Sequence, residues 1–123
     1  MKLRLVILLF ALIGLSHAEL LGQSNVDSLT EKSVMNSIWK LKEVQELNEH
    51  VIAESGGKRK LTVLLYKQPK ETEKGYYWVK VAEDNGINFI SHYNFFVYAL
   101  DGKVMYFDTV NDREIELLEW RKQ

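Results

Sequence analysis

Apolar residues at Val34, Ile38, Leu41, Val44, Leu47 and Val51 recur at steps of four, three, three, three and four. That spacing lines one stripe of a helix, which Met35 and Ile52 widen. Ser28 and Thr30 are both suitable amino-terminal caps. Glu31, Glu43, Glu46 and Glu49 share the polar side with Lys32, Lys40 and Lys42, and Ser55-Gly56-Gly57 ends the run, because glycine supplies the left-handed residue that closes a helix. The pattern predicts one long helix, with a break near residues 39–42 into two shorter ones as the alternative.

Beyond residue 60 the pattern changes. Segments 61–67, 76–83, 87–100 and 103–108 are dense in aromatic and β-branched residues and read as strands. Residues 68–75 hold the single proline and several charges, and read as a loop. Asp84-Asn85-Gly86 suits a three-residue hairpin loop, and Asp101-Gly102 a two-residue turn. The segment 111–123 predicts a short helix around 116–121, with a final strand as the competing reading. The fold class expected is therefore α+β: a long N-terminal helix packed on a four-stranded antiparallel meander, with a short C-terminal helix.

Turn length sets register, and register decides which side chains share a face. The three-residue loop puts Val81 opposite Phe89, Val79 opposite Ser91 and Trp78 opposite His92. The Asp101-Gly102 turn puts Val97 opposite Tyr106, Tyr98 opposite Met105 and Phe96 opposite Phe107. One face then carries Tyr77, Val79, Val81, Phe89, Tyr93, Phe95, Val97, Val104 and Tyr106, a suitable bed for the helix. The other carries Trp78, Ile90, His92, Phe96, Tyr98, Met105 and Phe107, where an antiparallel sheet with one wet face should be polar. One helix covers one face. The second needs the C-terminal segment with Leu117, Leu118 and Trp120, a second copy, a protein partner or a small ligand. Aromatic and Met enrichment is a mark of interfaces, so Trp78, His92, Phe96, Tyr98, Met105 and Phe107 are the candidate binding residues.

The first residues add a compartment. Met1-Lys2-Leu3-Arg4 is a basic head, residues 5–15 are apolar or glycine, and Ser16-His17-Ala18 places small residues on either side of a histidine. These are the parts of a secretory signal peptide, and the apolar run is shorter than the ~20 residues of a spanning helix. The expected organisation is a signal peptide at 1–18 cleaved after Ala18, a flexible lead-in at 19–27 and a single domain at 28–123. The 16 basic residues lose Lys2 and Arg4 with the signal, which leaves 14 against 17 acidic ones and a slightly acidic domain. That balance offers no basic footprint for nucleic acid and no polybasic patch for an anionic membrane. The chain has no cysteine and no Asn-x-Ser/Thr acceptor. Both features fit an exported bacterial protein, in the periplasm or outside the cell, that relies on packing in place of disulfides.

Chemistry is sparse. Glu46 and His50 stand four apart on the helix, but a zinc site needs three or four ligands, and no metal or cofactor is expected. His92 is a candidate acid-base group, yet the register puts Asp108, its nearest carboxylate candidate, on the opposite face. No Gly-x-Ser-x-Gly elbow, phosphate loop or dinucleotide fingerprint occurs. The leading expectation is a non-enzymatic binding module that takes a protein partner or a second copy. The alternative is a small enzyme or ligand-binding domain with a pocket between helix and sheet and His92 or Tyr93 as its polar groups.

Three phrases carry a resemblance: Ile38-Trp39-Lys40-Leu41-Lys42-Glu43-Val44, then Tyr76-Tyr77-Trp78-Val79-Lys80-Val81 with Glu83-Asp84-Asn85-Gly86, then Leu118-Glu119-Trp120-Arg121. Over residues 33–122 the chain resembles small exported bacterial proteins with a cystatin-like or NTF2-like roll. The resemblance implies a fold and a compartment and no activity. Protease-inhibiting cystatins carry a Gln-x-Val-x-Gly hairpin and a later Pro-Trp pair. Here the first loop reads Gln68-Pro69-Lys70-Glu71-Thr72-Glu73-Lys74-Gly75 and no Pro-Trp occurs, so protease inhibition is not implied.

Overall fold

The computed structural model describes residues 29–123. The signal peptide expected at 1–18 and the lead-in expected at 19–27 lie outside the described residues. The elements, in chain order, are α1 (Glu31–Trp39), α2 (Lys42–Ser55), β1 (Lys60–Lys67), a 3-10 turn (Pro69–Glu71), β2 (Tyr76–Asp84), β3 (Phe89–Tyr98), β4 (Val104–Asp108), β5 (Arg113–Glu116) and α3 (Leu117–Arg121). The strands form one antiparallel sheet in the order β1-β2-β3-β4-β5. The fold is α+β, with two corrections to the expected detail: the long helix is two helices, and the sheet has five strands rather than four.

The break between α1 and α2 follows from the spacing. Ile38 and Leu47 are nine residues apart, and at about 100° per residue they would stand on opposite sides of one continuous helix. Leu41 takes an extended conformation (φ −59°, ψ 136°) and interrupts it. Gln45 Nε2 then donates to the Trp39 carbonyl at 2.6 Å, satisfying a group freed by the break. The two halves turn Val34, Ile38, Val44 and Val51 onto one core, with Leu41 and Leu47 packed against it. Thr30 caps α1 in a reciprocal box with Ser33: Ser33 N–H donates to Thr30 Oγ1 and Thr30 N–H to Ser33 Oγ. Gly56 closes α2 at φ +63°.

The fifth strand comes from the C-terminal segment, whose two expected readings are both realised in sequence. Residues Arg113–Glu116 pair with β4, and Leu117–Arg121 then turn into α3. That helix folds back onto the face already held by α1 and α2. Trp120 stacks on Tyr106 (4.6 Å between ring centroids) and meets Tyr93 and Phe95 edge-on. Arg121 Nε donates to Glu43 Oε1 of α2 at 2.6 Å. All three helices therefore serve one side of the sheet.

Burial pushes the Glu43 carboxyl up, and its Oε2 is buried with no partner among the described residues. The hydrogen bond and charge of Arg121 outweigh this and hold the group below the ordinary glutamate value. A carboxyl whose pKa is lower in the folded state adds stability above its unfolded value, and that stability is lost as pH falls through the folded value. Urea unfolding between about pH 6 and pH 3 should therefore show part of the acid destabilisation disappear in Glu43→Gln. An unchanged pH profile in that variant would contradict this role for the Glu43–Arg121 pair.

Candidate functional site

The side of the sheet away from the helices is built from alternate residues of all five strands. One row of cross-strand partners runs Lys67–Trp78–Phe96–Met105–Glu116. The expected partners differ from this. Trp78 faces Phe96 rather than His92, and Phe96 faces Met105 rather than Phe107. Both hairpins have longer connections than expected: four residues, 85–88, separate Asp84 from Phe89, and residues 99–103 separate β3 from β4. From Tyr93 onward the shift is even in each case, so those faces are preserved. On the tip side of the β2–β3 hairpin it is odd, and Phe89 and Ile90 exchange the faces expected of them, Ile90 falling on the side of Val81 and Phe89 on the side of Trp78.

In the β2–β3 hairpin a bulge restores the parity. Val81 faces Tyr93 and Ala82 faces Ser91, which leaves His92 without a cross-strand partner. His92 is exposed and is no part of the aromatic group. That corrects its expected place opposite Trp78.

The other candidates come together. Trp78 meets both Phe96 and Phe107 edge-on at 5.3 Å. Phe96 stacks on Phe107 at 4.5 Å and on Tyr76 at 3.9 Å, and is thereby buried. Tyr98 meets Tyr76 edge-on, and Met105 lies beside Phe96 in the next strand. The edge-on contacts of Trp78 are among the favourable ring geometries. The Trp78 indole Nε1–H donates to Asn94 Oδ1 at 2.8 Å, so the buried Asn94 amide has a partner.

Several residues join this face that sequence reasoning missed. Tyr66 is 52% exposed and meets Trp78 edge-on at 4.7 Å. Lys80 Nζ sits 4.0 Å from the centre of the Tyr66 ring, and Lys67 Nζ lies 5.8 Å from Trp78, both within cation–π range. The eight-residue loop between β1 and β2 set no register, so nothing in the sequence said which side of the sheet Tyr66 would occupy. At the opposite edge Glu114 accepts the Tyr98 hydroxyl and pairs with Lys74 at 3.3 Å.

A cleft of about 470 Å³ opens over the rings. Its floor is Tyr76, Trp78, Phe96 and Phe107, and its walls are the β1–β2 connection with Glu71 to Lys74 and the start of β5 with Arg113 and Glu114. Burial, followed by the Glu114 hydrogen bond and charge, pushes the Tyr98 phenol far above its ordinary value, so it stays a donor across the working pH range. The Tyr76 phenol is raised by burial and then by Glu114.

A second apolar surface stands at the tip of the β2–β3 hairpin, where Ile87 is 93% exposed and Phe89 and Ile90 about half exposed. Asp84 and Asn85 hold the turn by accepting the Gly86, Ile87 and Asn88 backbone N–H groups. His50 pairs with Glu54 rather than Glu46. Among the described residues no three His, Asp or Glu side chains gather into a cluster, and no helix is long and apolar enough to cross a membrane.

Tyr98→Phe removes a hydrogen bond to a carboxylate and is expected to cost about 1–2 kcal/mol in urea unfolding near neutral pH. A phenol whose folded pKa is raised contributes stability that is lost as pH rises beyond the unfolded value near 10. The difference between wild type and Tyr98→Phe should therefore shrink above about pH 10. A constant difference from neutral to alkaline pH would contradict the Tyr98–Glu114 bond.

Set against known proteins, the chain matches no family model, no curated protein and no solved structure.

Proposed function

We propose that this domain is a non-enzymatic binding module that takes a protein partner or a second copy on its aromatic sheet face. The observation that carries the reading is the position of Trp78, Phe107, Tyr66 and Met105 on a side of the sheet that none of the three helices covers. An aromatic and Met-rich surface flanked by charged groups has the composition of an interface centre with a polar rim. On the signal-peptide reading of the first 18 residues, the module works in the periplasm or outside the cell. A helical layer across an antiparallel meander supports the resemblance to a cystatin-like or NTF2-like roll, while the break at Leu41 departs from a single crossing helix.

The alternative reading, a small-ligand domain or NTF2-like enzyme, places its pocket between helices and sheet. The centre of that space is occupied by Val34, Ile38, Val44, Val79, Val81 and Phe95, each at 0% exposure, and Tyr93 is packed against Trp120. A recess of about 270 Å³ between α1 and β1 is lined by Met35, Asn36, Trp39, Leu61, Thr62 and Val63 and includes neither His92 nor Tyr93. A small ligand finds better support on the outer face, where the cleft has the size of a typical ligand pocket.

The test is capture from the extracellular and envelope fraction of the producing cells by immobilised wild type, Tyr66→Ala and Trp78→Ala. Truncating a central aromatic anchor should cost about 2 kcal/mol or more of binding, roughly a thirtyfold loss. Circular dichroism confirms folding of each variant, and Tyr66→Ala, at an exposed ring, guards against loss by unfolding. Capture or self-association that survives both substitutions in folded protein would sink this reading.

A further inference from the structure

The walls of the cleft carry both signs, with Glu71 and Glu73 on the β1–β2 connection and Arg113 on β5, but the central row of the aromatic face has opposite charges at its two ends. The β1–β2 side carries Lys67 and Lys80, and neither ammonium is paired with a carboxylate among the described residues. The β5 side carries Glu114 and Glu116. Glu116 pairs only with Lys103, a bridge in which both partners are more than half exposed and which is therefore readily exchanged. The row Lys67–Trp78–Phe96–Met105–Glu116 thus begins with a cation, ends with an anion and has β3 at its centre.

Such a row is complementary to itself under one rotation. A two-fold axis lying along β3, between two facing sheets, exchanges β1 with β5 and β2 with β4. It sets Lys67 of one copy over Glu116 of the other, and Trp78 over Met105, a favourable sulfur–aromatic contact. The in-plane axis at right angles would set Lys67 over Lys67 and Glu116 over Glu116, which is repulsive. Strands related by the first axis run nearly aligned, the arrangement that packed sheets commonly adopt. Resting on the reading of this face as a binding surface, we propose that its occupant is a second copy of this chain, docked face to face about an axis along β3 with Lys67 and Glu116 paired across the interface. Each dimer then holds the pair twice, as a closed two-fold interface requires.

The face is small. Five strands about 4.8 Å apart make it roughly 24 Å wide, and four or five residues of each strand make it about 15 Å long. The two copies then bury on the order of 1,000 Å² in all, the low end for a specific interface. The dimer is accordingly expected to be weak, concentration-dependent and salt-sensitive, with a midpoint in the micromolar range.

The test is sedimentation velocity on the purified protein from about 1 μM to about 1 mM at low and high salt. Wild type is expected to pass from monomer to dimer. Lys67→Glu and Glu116→Lys should each raise the midpoint tenfold or more, because each faces like charge with like. An equimolar mixture of the two variants should recover the dimer, since both cross-interface pairs are then opposite in sign; recovery also shows that both variants are folded. A wild type that stays monomeric over the whole range overturns the second copy as occupant. So does dimerisation that neither charge reversal weakens, or a mixture that associates no better than its components. If wild type is monomeric yet captures another protein or a small molecule in a Trp78-dependent way, the second copy is excluded while the binding face survives. If Trp78→Ala changes nothing either, both readings fall.

Discussion

The pleat of β2 against β3 is the constraint on which the rest of this domain depends. Side chains alternate along a strand, so every residue of one face is committed once the register is even or odd. Val79 faces Phe95 beneath the helices, and the neighbouring Trp78 faces Phe96 on the other side. The bulge at His92 is part of that constraint. The four-residue turn alone would have moved the register by an odd number relative to a three-residue loop, turning Tyr93, Phe95 and Val97 away from the helices. One unpaired residue restores the parity and leaves both faces apolar.

The two faces then meet different fates. The inner one is closed by three helices that reinforce each other: α1 and α2 by burying Val34, Ile38, Val44 and Val51, α3 by laying Trp120 on Tyr106 and joining Arg121 to Glu43. The outer one is organised by its own rings. Phe96 is sealed between Tyr76 and Phe107, and Trp78 is pinned by its bond to Asn94. Rings held in this way lose little side-chain freedom when something docks on them, which lowers the entropic cost of association. Order without cover, together with a cation at one end of the central row and an anion at the other, makes the outer side an attractive contact surface.

Much of this was legible in the residues. The two-faced sheet followed from alternation alone, because errors in both hairpin registers were even from Tyr93 onward and left Trp78, Phe96, Tyr98, Met105 and Phe107 together. His92 was misplaced because a bulge has no strong sequence signal. The extra strand was hidden in Arg113–Glu116, a four-residue segment of Arg, Glu and Ile whose polar composition reads as loop or helix. Tyr66, Lys67 and Glu114 belong to segments joined by connections that do not set register, so only the folded chain brings them beside Trp78. The helix break at Leu41 was foreshadowed by three successive steps of three, a spacing that drifts about 60° per step from the axis of an α-helical stripe.

The most direct measurement is the pattern of nuclear Overhauser contacts from the Trp78 indole in the purified protein. Contacts to the Tyr66, Phe96 and Phe107 rings, with none to Val34, Ile38 or Trp120, are what a two-faced sheet requires. An indole that reports the helical side chains would mean that Trp78 and Val79 have exchanged sides, and the outer aromatic surface would not exist.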